Sequence, residues 1–317
     1  MIKVLQRLFV LFCFATTPVY AENTDGLILL EKMSRAMKNL NYQGTVAFMK
    51  NGQLDTMKYI HAAKDGVEQE RLLSLNSPMR EVIRDSGIVS CTFKETQKRV
   101  INHRPVSQSF ILDLPRQISS LSALYQVKVS GEAAVAMRPA LVVDIEPRDA
   151  FRYRRKIWID KEQALPLKVE VYSLNGTILE QVVFTDIDVE QSIPFVQADK
   201  RNGDMEIQHI HRVHSESFDK SSFTLNFLPA GFNKVFFTRM SMHKSDRPVD
   251  HLLLSDGFSS ISIYMDDKNE DIESGLHTVG SVNSFTRLVD DSMVTVMGEV
   301  PAKTVELIAQ GISFAQP

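Results

Sequence analysis

The 317-residue chain is short of the residues that define several specialised classes. It has two cysteines, too few for a disulfide framework to stand in for a packed core. Fourteen glycines and twelve prolines exclude a fibrous or proline-rich linker protein. Basic charge is not in excess: the formal net charge is −3, which gives no support for nucleic-acid binding. No apolar run approaches the roughly 20 residues of a membrane-spanning helix. The G-x-S-x-G elbow, H-E-x-x-H, G-x-G-x-x-G and phosphate-loop patterns are all missing, so the chain reads as non-enzymatic and without a cofactor. What remains is ordinary globular composition, 44% apolar and 24% charged, with a length that suits two domains.

The first residues read as a targeting signal. Lys3 and Arg7 form a positive n-region, residues 8–15 are apolar, Pro18 breaks the run, and Val19-Tyr20-Ala21 puts small residues where cleavage requires them. Cleavage is expected between Ala21 and Glu22. The mature chain then loses two cations and no acid, becoming more acidic. It also loses Cys13, which follows bulky Phe12 and so lacks the small neighbour of a lipid-attachment cysteine. Cys91 is left alone, without an internal disulfide. The signal chemistry suits a bacterial envelope, which places the product in the periplasm.

Beyond the signal, Leu27, Leu30, Met33, Met37 and Leu40 recur at helical spacing, with Asn23 to Asp25 available as caps. Eleven short strands follow, over 44–49, 54–62, 68–74, 80–84, 88–93, 97–101, 125–130, 140–146, 152–159, 167–173 and 177–186. Asn51-Gly52 and Asn175-Gly176 are hairpin turns. These elements predict a wide curled antiparallel sheet with a helix on its concave side, broad enough to keep an apolar cavity. The polar stretch 197–206 reads as a linker. After it come strands over 236–242, 251–254, 259–265, 283–288 and 292–298, and a closing helix begun by Pro301, with Val305, Ile308 and Ile312 on one face. The expected division is signal 1–21, first domain 22–196, linker 197–206 and second domain 207–317. The fold class is α+β.

Four clusters could carry chemistry. His209 and His211 share a strand face as two metal ligands could, but His214 falls on the other face and no third ligand is fixed, so a histidine cluster without metal is the reading. Asp266, Asp267, Glu270, Asp271 and Glu273 lack the spacing of a calcium loop and read as a solvated hairpin tip. Cys91 lies in an alternating strand, where a buried inert thiol is the default. The fourth is basic: Arg148, Arg152, Arg154, Arg155 and Lys156 within nine residues. Continued strand alternation puts Arg152, Arg154 and Lys156 on one face. Arg148, Arg152 and Arg154 are therefore candidates to contact an anion or a partner, since guanidinium forks bind phosphate and carboxylate. The alternative is a strand face paired with acids on its neighbours, such as Glu170.

Several segments, taken in order, resemble the MucB/RseB family of periplasmic negative regulators of the envelope-stress sigma factor. They are Asn41-Tyr42-Gln43-Gly44-Thr45, Arg80-Glu81-Val82-Ile83-Arg84, Glu146-Pro147-Arg148-Asp149-Ala150-Phe151-Arg152-Tyr153 with Trp158-Ile159-Asp160, Leu228-Pro229-Ala230-Gly231-Phe232, Ser255-Asp256-Gly257-Phe258 and Val294 to Pro301. The resemblance implies a first domain like the periplasmic lipoprotein carriers, a half-open barrel with an apolar cavity, and a smaller second domain. It implies binding to the periplasmic part of a membrane-anchored anti-sigma factor, protection of that factor from proteolysis, and release by lipopolysaccharide or lipoprotein acyl chains. The second domain and the crevice between domains are then the expected partner surface; self-association stays open. A lipid or lipoprotein carrier without a regulatory partner is the alternative, although a pure carrier should not need the second domain. One departure bears on geometry: Ala134-Val135-Ala136-Met137-Arg138 puts Met137 where the family has a turn glycine.

Overall fold

The computed structural model describes residues 26–76, 80–85, 87–93, 98–103, 109–196, 206–212, 215–240, 248–268 and 273–314. The signal segment, its cleavage site at Ala21 and Glu22, His214 and the acids at 270 and 271 lie outside them, as do the side chains of His209 and His211.

Helix α1 (Gly26–Asn39) buries Leu29, Leu30, Met33 and Met37, close to the expected stripe. It stops where Leu40 N still bonds Ala36 O and the Asn39 amide caps Arg35 O. Strands β1 (Asn41–Lys50), β2 (Gln53–Lys64), β3 (Val67–Ser74), β4 (Arg80–Asp85), β5 (Ile88–Phe93) and β6 (Lys98–His103) follow as a meander. A 3-10 helix at Ile118–Ala123 leads into β7 (Tyr125–Val135), β8 (Arg138–Pro147), β9 (Arg154–Asp160), β10 (Pro166–Tyr172) and β11 (Ile178–Glu190). Strand β12 (Glu206–Arg212) completes a twelve-stranded sheet of order β12-β6-β5-β4-β3-β2-β1-β11-β10-β9-β8-β7. Its two ends do not pair, so the barrel is half open, as expected.

The two asparagine-glycine turns solve different problems. Asn51 and Gly52 both take positive φ, 53° and 72°, giving the two-residue turn that matches strand twist. At the second, only Gly176 is left-handed (φ 87°), and Gly176 N bonds Ser173 O in a longer loop. The β7–β8 turn uses Ala136 (φ 51°) and Met137 (φ 58°) with no glycine, so the departure from the family pattern leaves the turn intact but strained.

Two features of the first sheet bear on the expected organisation. First, β12 pairs in parallel with β6, from Glu206 opposite Lys98 to Arg212 opposite His103. The chain thus returns to the first sheet beyond the expected linker, through residues 206–212. A strand there covers the β6 edge, which would otherwise expose unpaired backbone groups. Second, the concave side is occupied. Leu29, Leu30, Met33 and Met37 share one buried cluster with Tyr42, Val46, Tyr59, Ile111, Leu112, Leu121, Tyr125, Ile145, Ile157 and Ile159. These described side chains pack into one apolar cluster between α1 and the sheet.

The second body has β13 (Phe223–Leu225), β14 (Asn233–Met240), β15 (Val249–Ser255), β16 (Ser260–Asp267), β17 (Gly275–Val279), β18 (Val282–Val289), β19 (Ser292–Gly298), helix α2 (Ala302–Gln310) and β20 (Ile312–Phe314). Six strands form a sheet of order β14-β15-β16-β19-β18-β17, while β13 pairs with β20. Val305 and Ile308 of α2 pack against Ile261, Ile263, Val294 and Val296. Ile312 joins this cluster from β20, just beyond the helix. No helix among the described residues is long and apolar enough to cross a membrane.

Candidate functional site

The basic cluster leads to the seam between the two bodies. Strand β9 begins only at Arg154. From there the alternation is as read: Arg155, Ile157 and Ile159 are buried, while Arg154, Lys156 and Trp158 point the other way. That outer face is neutralised internally. Arg154 reaches Asp144 Oδ1 at 2.6 Å and Glu146 Oε2 at 2.9 Å. Lys168 bonds Glu170 at 2.6 Å and lies over the Trp158 ring, and the Tyr172 hydroxyl donates to Glu170.

Arg152 lies before the strand, in a bend, and the alternation does not extend to it. Its side chain is fully buried, which corrects its assignment to an outward anion-binding face. The anion it meets is internal. Nε donates to Asp256 Oδ2 at 2.6 Å, Nη1 to Asp149 and Nη2 to the Ala230 carbonyl, and the guanidinium lies 4.7 Å from the Phe232 ring centre. Arg148 is exposed; its Nε donates to Ser122 O at 3.1 Å.

Asp256 organises this contact. One oxygen accepts from Phe258 N (3.0 Å) and Ser259 N (2.8 Å), closing an Asx turn through Gly257, whose φ is 102°. The other accepts from Arg152 and from the Tyr125 hydroxyl at 2.6 Å. Burial, together with the adjacent carboxylate, pushes the Tyr125 phenol well above its ordinary range, so it stays a donor. The turn delivers Phe258 into the first body's apolar cluster, edge-on to Tyr125 at 5.4 Å. Gly257 lies flat on Pro115, leaving no room for a Cβ.

Further bonds cross the seam. Arg155 Nη2 donates to Phe258 O and Ser259 Oγ, both at 3.2 Å, and Asn283 Nδ2 to the Tyr153 hydroxyl at 2.9 Å. Thr304 Oγ1 donates to Phe151 O at 3.0 Å, and Ser281 Oγ to Glu180 at 2.6 Å. The segments quoted for the resemblance therefore meet: the region around Arg152, the Ala230 loop and the Asp256 turn are three sides of one interface. Sequence reading missed Asp256 as the partner of Arg152, because nothing local joins residues 104 positions apart.

A second polar group ties the seam to the sheet interior. Glu70 is buried; it pairs with Arg84 and accepts from Tyr59 OH (2.9 Å), Ser109 Oγ (2.8 Å) and Phe110 N (3.0 Å). These bonds pin the segment 109–112 across the sheet, and three residues on, Pro115 abuts Gly257. Asp113 in this segment is pushed up to about 6, chiefly by burial, against the Ser109 N–H that it accepts at 2.7 Å. Across the seam, burial also raises Glu299, against the pull of Arg155. Cys91 is free and half-buried, and burial raises its thiol, which disfavours the reactive thiolate.

The model of the MucB/RseB N-terminal domain matches residues 25–202, and that of the MucB/RseB C-terminal domain matches 217–313. The chain is 26% identical over 287 residues to the sigma-E factor regulatory protein RseB of Escherichia coli (strain K12), covering 90% of each. It is 28% identical over 299 residues to the sigma factor AlgU regulatory protein MucB of Pseudomonas aeruginosa, covering 91% of this chain and 90% of the relative. Among solved structures, MucB in complex with MucA(peri) matches with a TM-score of 0.72 at 25% identity, over 92% of this chain and 100% of that one.

Proposed function

Because the chain belongs to the MucB/RseB family, we propose that it is a non-enzymatic periplasmic regulator of an envelope-stress sigma factor. It binds the periplasmic part of a membrane-anchored anti-sigma factor and shields that part from proteolysis. A lipid-bearing signal, lipopolysaccharide or lipoprotein acyl chains, releases it. The observation that carries this reading is the correspondence over 92% of this chain, both bodies included, to a chain solved with MucA(peri).

The seam gives the proposal a physical form. Two bodies locked by Arg152, Asp256 and Phe258 present one continuous surface to an extended partner, and exposed Arg148 beside the seam is the cation that meets an acidic segment of it. α1, Ile111 and Leu112 pack against one another inside the curled sheet, and an acyl chain that enters there displaces one of them. Each buried methylene contributes about 0.8 kcal/mol, so a few of them offset a displaced side chain. Lifting the segment 109–117 also disturbs Pro115 against Gly257, which couples lipid entry to the seam.

The test is protease protection of the partner's periplasmic segment by the mature chain, with and without lipid. Protection that lipid abolishes is the expected result. No protection in either arm overturns the regulatory reading; protection indifferent to lipid overturns the release step alone. Envelope fractionation checks the compartment.

A further inference from the structure

Away from the seam, α1 and the segment before the 3-10 helix enclose an open groove of about 550 Å³ above the β2–β3 turn. Arg35 and Lys38 enter it from α1, and Arg116 from the opposite wall. Two carboxylates, Glu31 and Glu68, also line it. Glu31 stands one turn before Arg35, yet no ion pair forms among the described residues between either acid and these three cations. What sets the groove apart is convergence: Arg35, Lys38 and Arg116 line one concavity, and none of them is held by a carboxylate among the described residues.

The walls are fixed from below. Met33 and Met37 anchor α1 in the core, and Ile118, 5% exposed, anchors the opposite wall. Lys38 in the last turn of α1 also complements the helix's negative end. Arg116 belongs to no helix, so that explanation does not reach it, and its arrival opposite Arg35 makes the groove two-sided.

We propose that this groove binds a phosphate-bearing anion, with Arg35 and Arg116 as opposed guanidinium forks, Lys38 as a third charge, and the Ser34 and Ser119 hydroxyls completing the shell. Forks on opposite walls suit a multiply charged phosphate better than a single carboxylate. The source is either a soluble phosphate or the headgroup of an anionic lipid. The inference does not rest on the anti-sigma reading, which a separate protection assay tests.

The experiment uses the mature chain, the Arg35→Gln/Arg116→Gln variant, and a Lys220→Gln/Lys303→Gln control altered at exposed lysines of the second body. Calorimetric titration with inorganic pyrophosphate at low salt tests the groove. Flotation with phosphatidylcholine vesicles, with and without about one-fifth phosphatidylglycerol, tests the lipid source. Saturable pyrophosphate binding, weakened at least about tenfold in the arginine variant and kept by the control, is expected. If the anionic vesicles also bind, and lose binding in the same variant, the headgroup is the source; if only pyrophosphate binds, the ligand is soluble. No saturable binding to pyrophosphate, or equal binding by wild type and the arginine variant, overturns the proposal. The variants' unfolding midpoints should match wild type because the altered side chains are exposed.

Discussion

Replacing Arg152 with alanine tests the seam at its centre. The side chain is fully buried and holds Asp256, Asp149 and the Ala230 carbonyl at once. Hydrogen bonds to charged groups contribute about 1.5–3 kcal/mol each, but burying the guanidinium costs several kcal/mol, so the bonds do not simply add. Breaking a buried pair from one side costs about 3–5 kcal/mol. Asp256 would still accept from Tyr125, Phe258 and Ser259, which places the loss near the lower end, at about 3 kcal/mol. Urea unfolding measures it. Arg152→Lys should recover less than half, since one ammonium cannot span three acceptors. Asp256→Asn, alone and combined with Arg152→Ala, closes a double-mutant cycle whose coupling should exceed about 1 kcal/mol. A loss below about 0.5 kcal/mol for Arg152→Ala, with no coupling in the cycle, would refute the claim that this pair fastens the two bodies.

Other outcomes follow from the same geometry. Asp113 ionises in the native state only near pH 6, against 3.8 for a free side chain, because burial opposes its charge. The native state therefore keeps a proton that the unfolded chain has lost. Stability falls as pH rises through about 4 to 6, by up to roughly 3 kcal/mol. Asp113→Asn, which keeps an acceptor for Ser109 N, should be more stable than wild type in melts at pH 7.5 and equal to it at pH 4; equal midpoints at both would discount the buried charge. Met137→Gly relieves a left-handed residue that is 99% exposed, and should raise stability by about 1 kcal/mol in chemical denaturation. Gly257→Ala adds a Cβ at φ 102° against Pro115, so it should cost at least about 1–3 kcal/mol and open the seam to limited proteolysis. An unchanged cleavage pattern would argue against that close contact.

Much of this architecture was legible in local pattern. The apolar stripe of α1, the alternation of β9 from Arg154 onward and the left-handed Asn51-Gly52 turn are short-range steric and hydrophobic facts, and they appear where the residues put them. Local pattern failed at Arg152 because a strand period was carried two residues beyond the strand's start. It also failed at β12, because pairing with β6 joins residues more than a hundred positions apart, through backbone groups that every residue shares. Whether a charged side chain faces water or a buried counter-charge depends on what the fold brings beside it. The chain's own order could supply the guanidinium; only tertiary packing could supply Asp256, remove the water around both, and turn an apparent surface anchor into the fastening between two bodies.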